Sequence, residues 1–238
     1  MNVPPAPRVC YGDPMLAAAI AAALLAAAPA SSGPAEPGAG PGPAAAAEDP
    51  AAQALARKVQ GFYERTRDLS ARFRQTYSYA GFGRRQVSSG VLLVKKPGMM
   101  RWEYQKPSPK IVAVKGSRLV QYEPEENQAY LDERFDATAM SAALAFLLGK
   151  GDLEKEFRAS LSASGSLVLH PRQPDPRVDS IELTAADDGR IEATRVVDGA
   201  GNVNEIAFDE VRRNTGIADS AFEVKLPPDV VRLAPPGK

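Results

Sequence analysis

The chain has 238 residues, of which 44% are hydrophobic and 24% charged, the ordinary make-up of a globular protein. Lys and Arg together number 29, as do Asp and Glu, so no net field draws the chain to nucleic acid or to an anionic membrane. One domain of roughly 190 residues behind an N-terminal extension is the simplest division of this length.

The extension comes first. "MLAAAIAAALLAAAPA" (Met15–Ala30) is apolar but shorter than the ~20 residues that span a bilayer comfortably. It ends in Ala28-Pro29-Ala30, the small-x-small pattern of a signal-peptidase site, behind an n-region whose one basic side chain is Arg8. Residues 1–30 are therefore expected to be a signal peptide, with Met15 as an alternative start. Residues 31–48, "SSGPAEPGAGPGPAAAAE", hold Pro, Gly and Ala without apolar periodicity and are expected to be a disordered linker. The single Cys, Cys10, precedes the apolar run, where no lipid-anchoring cysteine would stand. Cleavage after residue 30 removes it with Arg8 and Asp13, leaving 29 − 1 = 28 charges of each sign. No disulfide, cysteine nucleophile or thiolate metal site is then available.

The folded domain is expected over residues 49–238. Asp49-Pro50 is an N-cap followed by Pro at the first helical position. Leu55, Val59, Phe62 and Tyr63 recur at helical spacing, so a one-sided helix is expected from Pro50 to about Asp68. The period then becomes two. "LSARFRQTYSYA" and "RRQVSSGVLLVKK" are joined by a Gly-rich turn, and "MMRWEYQ", "KIVAVK", "RLVQYE" and "NQAYLDE" follow. Connections this short make neighbouring strands antiparallel. "DATAMSAALAFLLGKGD" (Asp136–Asp152) interrupts them with an Asp cap, an Ala/Leu body and a Gly stop. "LEKEFRASLS" either extends that helix or begins the next strand. Further strands are expected at Ser166–Pro171, Asp179–Ala185, Arg190–Val197, Val203–Arg212 and Ala221–Lys225, with turns at Asp188-Gly189 and Asp198-Gly199. About ten or eleven antiparallel strands with a helical insertion predict a mainly β fold with helices: an incomplete antiparallel β-barrel closed by a helical lid.

Catalytic signals are poor. One histidine, His170, makes no His-based metal site, and it reads as a surface side chain although Asp175, Asp179 and Ser180 are near in sequence. "LLGKGD" lacks the spacing of a phosphate loop, "DGAGN" has Ala200 where a calcium loop needs an acid, and "EPEEN" reads as a hairpin tip. Arg72 and Arg74 alternate with apolar residues as on one wet strand face. What remains is apolar surface. Period two places Met100, Trp102 and Tyr104 on one face of their strand, and Leu92 and Val94 on a face with Lys96. These residues, with the Phe146 region, form either plain core or the wall of a cavity.

"GVLLVKKPGMMRWEYQKPSPKIVAVKGSRLVQYEP" (Gly90–Pro124) resembles the outer-membrane lipoprotein carrier (LolA) family, whose pattern is G-x-L-x-h-K-R-P-x-x-h-x-W with h apolar. "FRQ" (Phe73–Gln75), "FLLGKGDL" (Phe146–Leu153) and the closing run from Gly201 to Leu233 extend the likeness across about Ala51–Leu233. Order and spacing together make it specific. The resemblance implies a half-barrel under a helical lid, without cofactor or catalytic residues. It implies a monomeric periplasmic chaperone that takes lipoproteins from an inner-membrane ABC transporter and passes them to an outer-membrane acceptor. Their acyl chains would sit against Phe73, Leu92, Val94, Met100, Trp102 and Tyr104, beneath lid residues Leu144, Phe146, Leu147 and Leu148. Lys96 stands where the family usually has an Arg that hydrogen-bonds lid carbonyls and holds the cavity shut. Lysine keeps the charge but lacks the planar five-donor fork, so a weaker latch is expected. A carrier of another lipid, and a lipoprotein-sensing regulatory module of the same architecture, are the alternatives; an acceptor lipoprotein would need the lipid-anchoring cysteine that is missing here.

Overall fold

The computed structural model describes residues 49–81, 83–136, 151–175 and 177–235. The expected signal peptide and linker, and nearly all of the helical insertion, lie outside the described residues.

Helix α1 (Pro50–Glu64) begins as its sequence predicts, with the Asp49 carboxylate accepting the Ala51 N–H at 2.9 Å and Pro50 in the first turn. Ala52, Ala56, Val59, Phe62 and Tyr63 form its buried stripe. It ends about a turn before the expected Asp68. There the Thr66 hydroxyl donates back to the Phe62 carbonyl at 2.8 Å, and Asp68 is already the first residue of a strand.

The described strands form one sheet. They are β1 (Asp68–Ser78), β2 (Arg85–Lys95), β3 (Met99–Lys106), β4 (Lys110–Lys115), β5 (Arg118–Glu123), β6 (Gln128–Asp132), β7 (Phe157–Leu161), β8 (Leu167–Pro171), β9 (Ser180–Ala185), β10 (Ile191–Val197), β11 (Val203–Arg213) and β12 (Val231–Leu233). Among the described residues the sheet thus has twelve strands, in the order β12-β6-β5-β4-β3-β2-β1-β11-β10-β9-β8-β7. It does not close on itself, which is the incomplete barrel expected. Two strands are gained on those expected, and one expected strand is lost. "LEKEFRASLS" divides into a single turn, α2 (Leu153–Glu156), and β7. The short β12 pairs with β6 in parallel, which no hairpin rule anticipates.

The expected strand at Ala221–Lys225 is not formed. Asp219–Phe222 is a 3-10 turn lying across the convex side of β3 and β4, where Phe222 is buried. Three cations on that side hold the segment. Lys95 Nζ reaches Asp219 and the Ile217 carbonyl, each at 2.6 Å. Arg101 donates to the Glu223 carbonyl at 3.1 Å, and Lys115 pairs with the Glu223 carboxylate at 2.7 Å.

The concave side carries the core, with α1 and α2 packed at its β7–β8 end. One junction positions α1. The buried Asp68 carboxylate accepts from Thr215 N at 2.8 Å, Thr215 Oγ1 at 3.1 Å and Gly216 N at 3.1 Å. Arg67 N donates to Asn214 Oδ1 at 2.7 Å, Asn214 Nδ2 to the Arg65 carbonyl at 3.2 Å, and Lys96 N to the Arg67 carbonyl at 2.8 Å. Burial pushes the Asp68 carboxyl up, but donors from Thr215, Gly216 and Ile217 outweigh it and hold it below the usual carboxylate range.

Two glycines permit close approaches. A Cβ on Gly189 would lie 2.5 Å from the Lys58 carbonyl, so the β9–β10 turn can touch α1. A Cβ on Gly90 would lie 2.0 Å from the Glu103 carbonyl, beside a register shift in the β2–β3 ladder. Backbone on both sides cannot swing away as a side chain would. Gly90→Ala is therefore expected to part β2 from β3 and destabilise the fold by roughly 2 kcal/mol or more, read from the urea midpoint.

A candidate lipid-binding cavity

The inner positions of the central strands are Leu69, Ala71, Phe73, Gln75 and Tyr77 on β1, then Leu92 and Val94 on β2, and Met100, Trp102 and Tyr104 on β3. These period-two residues face the concave side, as the alternation requires. With α1, α2 and the inner faces of β8–β11 they surround a largely apolar cavity of about 140 Å³.

The residues expected to bind lipid divide into three groups. Leu92, Val94, Trp102 and Tyr104 line the cavity. Met100 and Phe73 are buried on the same face beside those residues but do not border the cavity. Phe73 packs edge-on against Trp102 at 4.8 Å and Tyr104 at 5.0 Å, while the Met100 thioether accepts the Trp102 indole N–H at 3.2 Å. Both therefore fix the wall's aromatic rings. Leu144, Phe146, Leu147 and Leu148 lie outside the described residues.

Lys96 follows the end of β2 at the cavity's edge. Its ammonium donates to the Tyr63 carbonyl in the last turn of α1, which also accepts the Thr66 N–H at 3.0 Å; the negative end of the helix dipole makes this a favourable place for a cation. Burial lowers its pKa, and the Glu64 carboxylate opposes that shift. The Tyr63 ring also borders the cavity, and its hydroxyl accepts the Ile191 N–H at 3.4 Å. Burial pushes this phenol up to about 12.

The opposite wall was not singled out in the sequence. Phe157, Leu169, Ile181, Leu183, Ile191 and Phe208, from β7 to β11, complete it. Their alternation with polar neighbours was visible, but no side chain there is as conspicuous as the single Trp. One polar feature also escaped notice: Tyr104 Oη donates to Gln75 Oε1 at 3.0 Å, and Gln75 Nε2 to Asn204 Oδ1 at 2.8 Å. All three residues border the cavity, and burial raises the Tyr104 phenol far above its ordinary value.

His170 lies on β8, within the strand expected there, and is exposed, with Nδ1 3.2 Å from the Asp179 carbonyl. Its ring is occupied by backbone, and the Asp179 carboxylate is not its partner. Among the described residues no group of three or more His, Cys, Asp or Glu could hold a metal ion, and no helix is long and apolar enough to cross a membrane.

The family model described as outer membrane lipoprotein carrier protein LolA matches residues 64–225. The chain belongs to this family. Relatives named outer-membrane lipoprotein carrier protein include one from Dechloromonas aromatica (strain RCB), 29% identical over 71% of this chain and 83% of its own length. Another, from Azotobacter vinelandii, is 30% identical over 74% of this chain and 87% of its own. Among solved structures, an uncharacterized conserved protein from Thermus thermophilus overlays at a TM-score of 0.48 with 14% identity, covering 77% of this chain and 98% of that one. That overlay is too loose to bear on the site. The LolA match spans α1's last residue through the 3-10 segment on the convex face, and so takes in the strands that build both cavity walls.

A cavity of this volume suits a compact apolar molecule, since an apolar cavity of about 150 Å³ takes up benzene. Benzene is expected to raise the Tm of this protein and to alter the emission of Trp102, the only tryptophan in the chain. Leu92→Phe, which fills the same space, should abolish both effects. An emission unaffected by saturating benzene would show that the wall is closed to ligands.

Proposed function

We propose that this protein is a periplasmic lipoprotein carrier that holds the acyl chains of its cargo between the concave sheet face and the helices above it. The observation that carries the reading is the apolar wall of Leu92, Val94, Trp102 and Tyr104, which lies within the stretch that the family model matches. The physical need is plain. At ~0.8 kcal/mol per CH₂, a chain of about fifteen methylenes costs on the order of 12 kcal/mol to expose to water. Release into the aqueous periplasm is negligible on that scale. Cargo must pass from an apolar surface on an inner-membrane ABC transporter to the carrier, and from the carrier to an apolar surface on an outer-membrane acceptor. Binding and release of this kind require no bond chemistry of the chain.

A cavity of about 140 Å³ is too small for such a chain, so loading requires it to widen. Lys96 is the latch in this reading. Its bond to the Tyr63 carbonyl ties the end of β2 to the end of α1, and widening there requires that bond to break. A single ammonium is a weaker tie than a guanidinium fork. Lys96→Arg is expected to slow hydrogen exchange of the amides in the last turn of α1 and to reduce loading; unchanged exchange would remove Lys96 from the latch.

The function itself is tested with inner-membrane vesicles, the transporter and ATP. The mature protein should release lipoproteins as soluble one-to-one complexes. No release, beside a competent control carrier, would sink the proposal. Mass spectrometry of co-purified lipid separates a lipoprotein carrier from a carrier of another lipid.

A further inference from the structure

The polar chain Tyr104–Gln75–Asn204 is out of keeping with its surroundings. Gln75 is only 3% exposed and sits in the inner row of β1, where its neighbours in the row are Phe73 and Tyr77. Burying an amide there costs free energy that an aliphatic side chain would not. The fold nonetheless arranges for it. Gly90 stands between Phe73 and Tyr104 in the ladders, opposite both. Having no side chain, it leaves the inner face open across β2, and the Tyr104 ring lies over that gap against Phe73 with its hydroxyl on Gln75. The Lys110 ammonium, 4.8 Å from the centre of the Tyr104 ring, braces it further.

The chain of bonds has a direction. Tyr104 donates to Gln75, and Gln75 donates to Asn204, so the Asn204 oxygen is taken and its amide N–H groups are left over. Among the described residues no acceptor faces that nitrogen, and Asn204 borders the cavity, as does Thr194 on the neighbouring strand. The position is also particular. Leu69 and Val94 pair at the latched end beside Lys96, and Gln75 lies six residues further along β1, about 20 Å away at strand spacing. Lys96 thus borders one end of the cavity and the Asn204 amide the other, where Arg177, paired with Asp175, also borders it; apolar wall lies between.

We propose that Asn204, held by Gln75 and Tyr104, is a polar subsite that receives the ester or amide carbonyl at the root of a bound acyl chain. The cavity then selects acyl groups over plain alkyl chains of the same length. This rests on the acyl-binding reading above and adds to it the chemical class of group recognised and its orientation, with the chain's methyl end toward Lys96.

The test uses the full mature chain and two ligands that differ in the carbonyl: 1-monopalmitoyl glycerol, an ester, and 1-O-hexadecyl glycerol, an ether. Binding is followed by Trp102 emission and by calorimetry. One net hydrogen bond corresponds to about three- to tenfold in affinity, and the wild type is expected to prefer the ester by that factor. Asn204→Asp keeps an oxygen for Gln75 but removes the amide donors; Asn204→Leu removes the polarity without adding charge. Both should lose the ester preference, the ester falling to the affinity that the same variant shows for the ether. Equal affinity of the wild type for the two ligands overturns the subsite, and so does an equal loss of both ligands in the two variants, which would mark Asn204 as purely structural. Binding of neither ligand to the wild type is a different result: it overturns the acyl-binding reading itself, and the subsite with it.

Discussion

The buried carboxylate of Asp68 is the interaction on which the arrangement above the sheet depends. It stands at the first residue of β1, directly after the helix that covers the cavity. It binds backbone donors at the exit of β11, 147 residues further along. Neighbouring bonds from Arg65, Arg67 and Lys96 bring the end of β2 into the same junction. Helix α1 is thereby fixed at its C-terminal end to three strand ends at once. Because the folded carboxyl is held below its ordinary range, the stability it contributes is full above the unfolded pKa, ~4. It is lost as pH falls through the depressed folded value.

Around that anchor, the two faces of one sheet serve different ends. The convex side is closed by the chain itself: Phe222 fills a local apolar site, and Lys95, Arg101 and Lys115 bind the segment around it. The concave side is packed around Met100 and Phe73 but not where the cavity lies. Those two residues, with no exposure to speak of, hold Trp102 and Tyr104 in place from the side. A rigid wall behind an incompletely filled space suits a ligand better than a uniformly packed core does, because the wall need not be built when the ligand arrives. The polar groups at the two ends of the space, Lys96 and the Gln75–Asn204 pair, give it a direction.

Much of this was legible in the sequence. The strands over Lys110–Lys115 and Arg118–Glu123 have the very bounds that their flanking Pro and Gly residues suggest. The grouping of side chains by face on β2 and β3 follows from alternation alone, although which face points inward does not. The helix start follows from Asp49-Pro50. Failures occurred where a distant contact overrode a local pattern. Ala221–Lys225 alternates like a strand, yet Phe222 is used as a plug on β3 and β4, and the backbone turns to deliver it. Helix α1 stops short because Thr66 caps it and Asp68 is claimed by Thr215 and Gly216. Met100 and Phe73 share the face of the cavity wall but do not border the cavity, a distinction that a period of two does not encode.

By itself, then, the amino-acid order determined which residues alternate, where most helices and strands begin, which family the domain resembles, that Trp102 and Tyr104 share a face of one strand, and that Leu92 and Val94 share a face of another with Lys96. These are local properties, set by backbone geometry and the spacing of apolar side chains. Only the tertiary structure decided that these faces border an unfilled space, that the lysine grips the Tyr63 carbonyl, and that a glycine at position 90 lets Tyr104 reach Gln75 and, through it, Asn204. Each of those contacts joins residues from 14 to 129 positions apart, and nothing in the local spacing of either partner records which strand the sheet will bring alongside it.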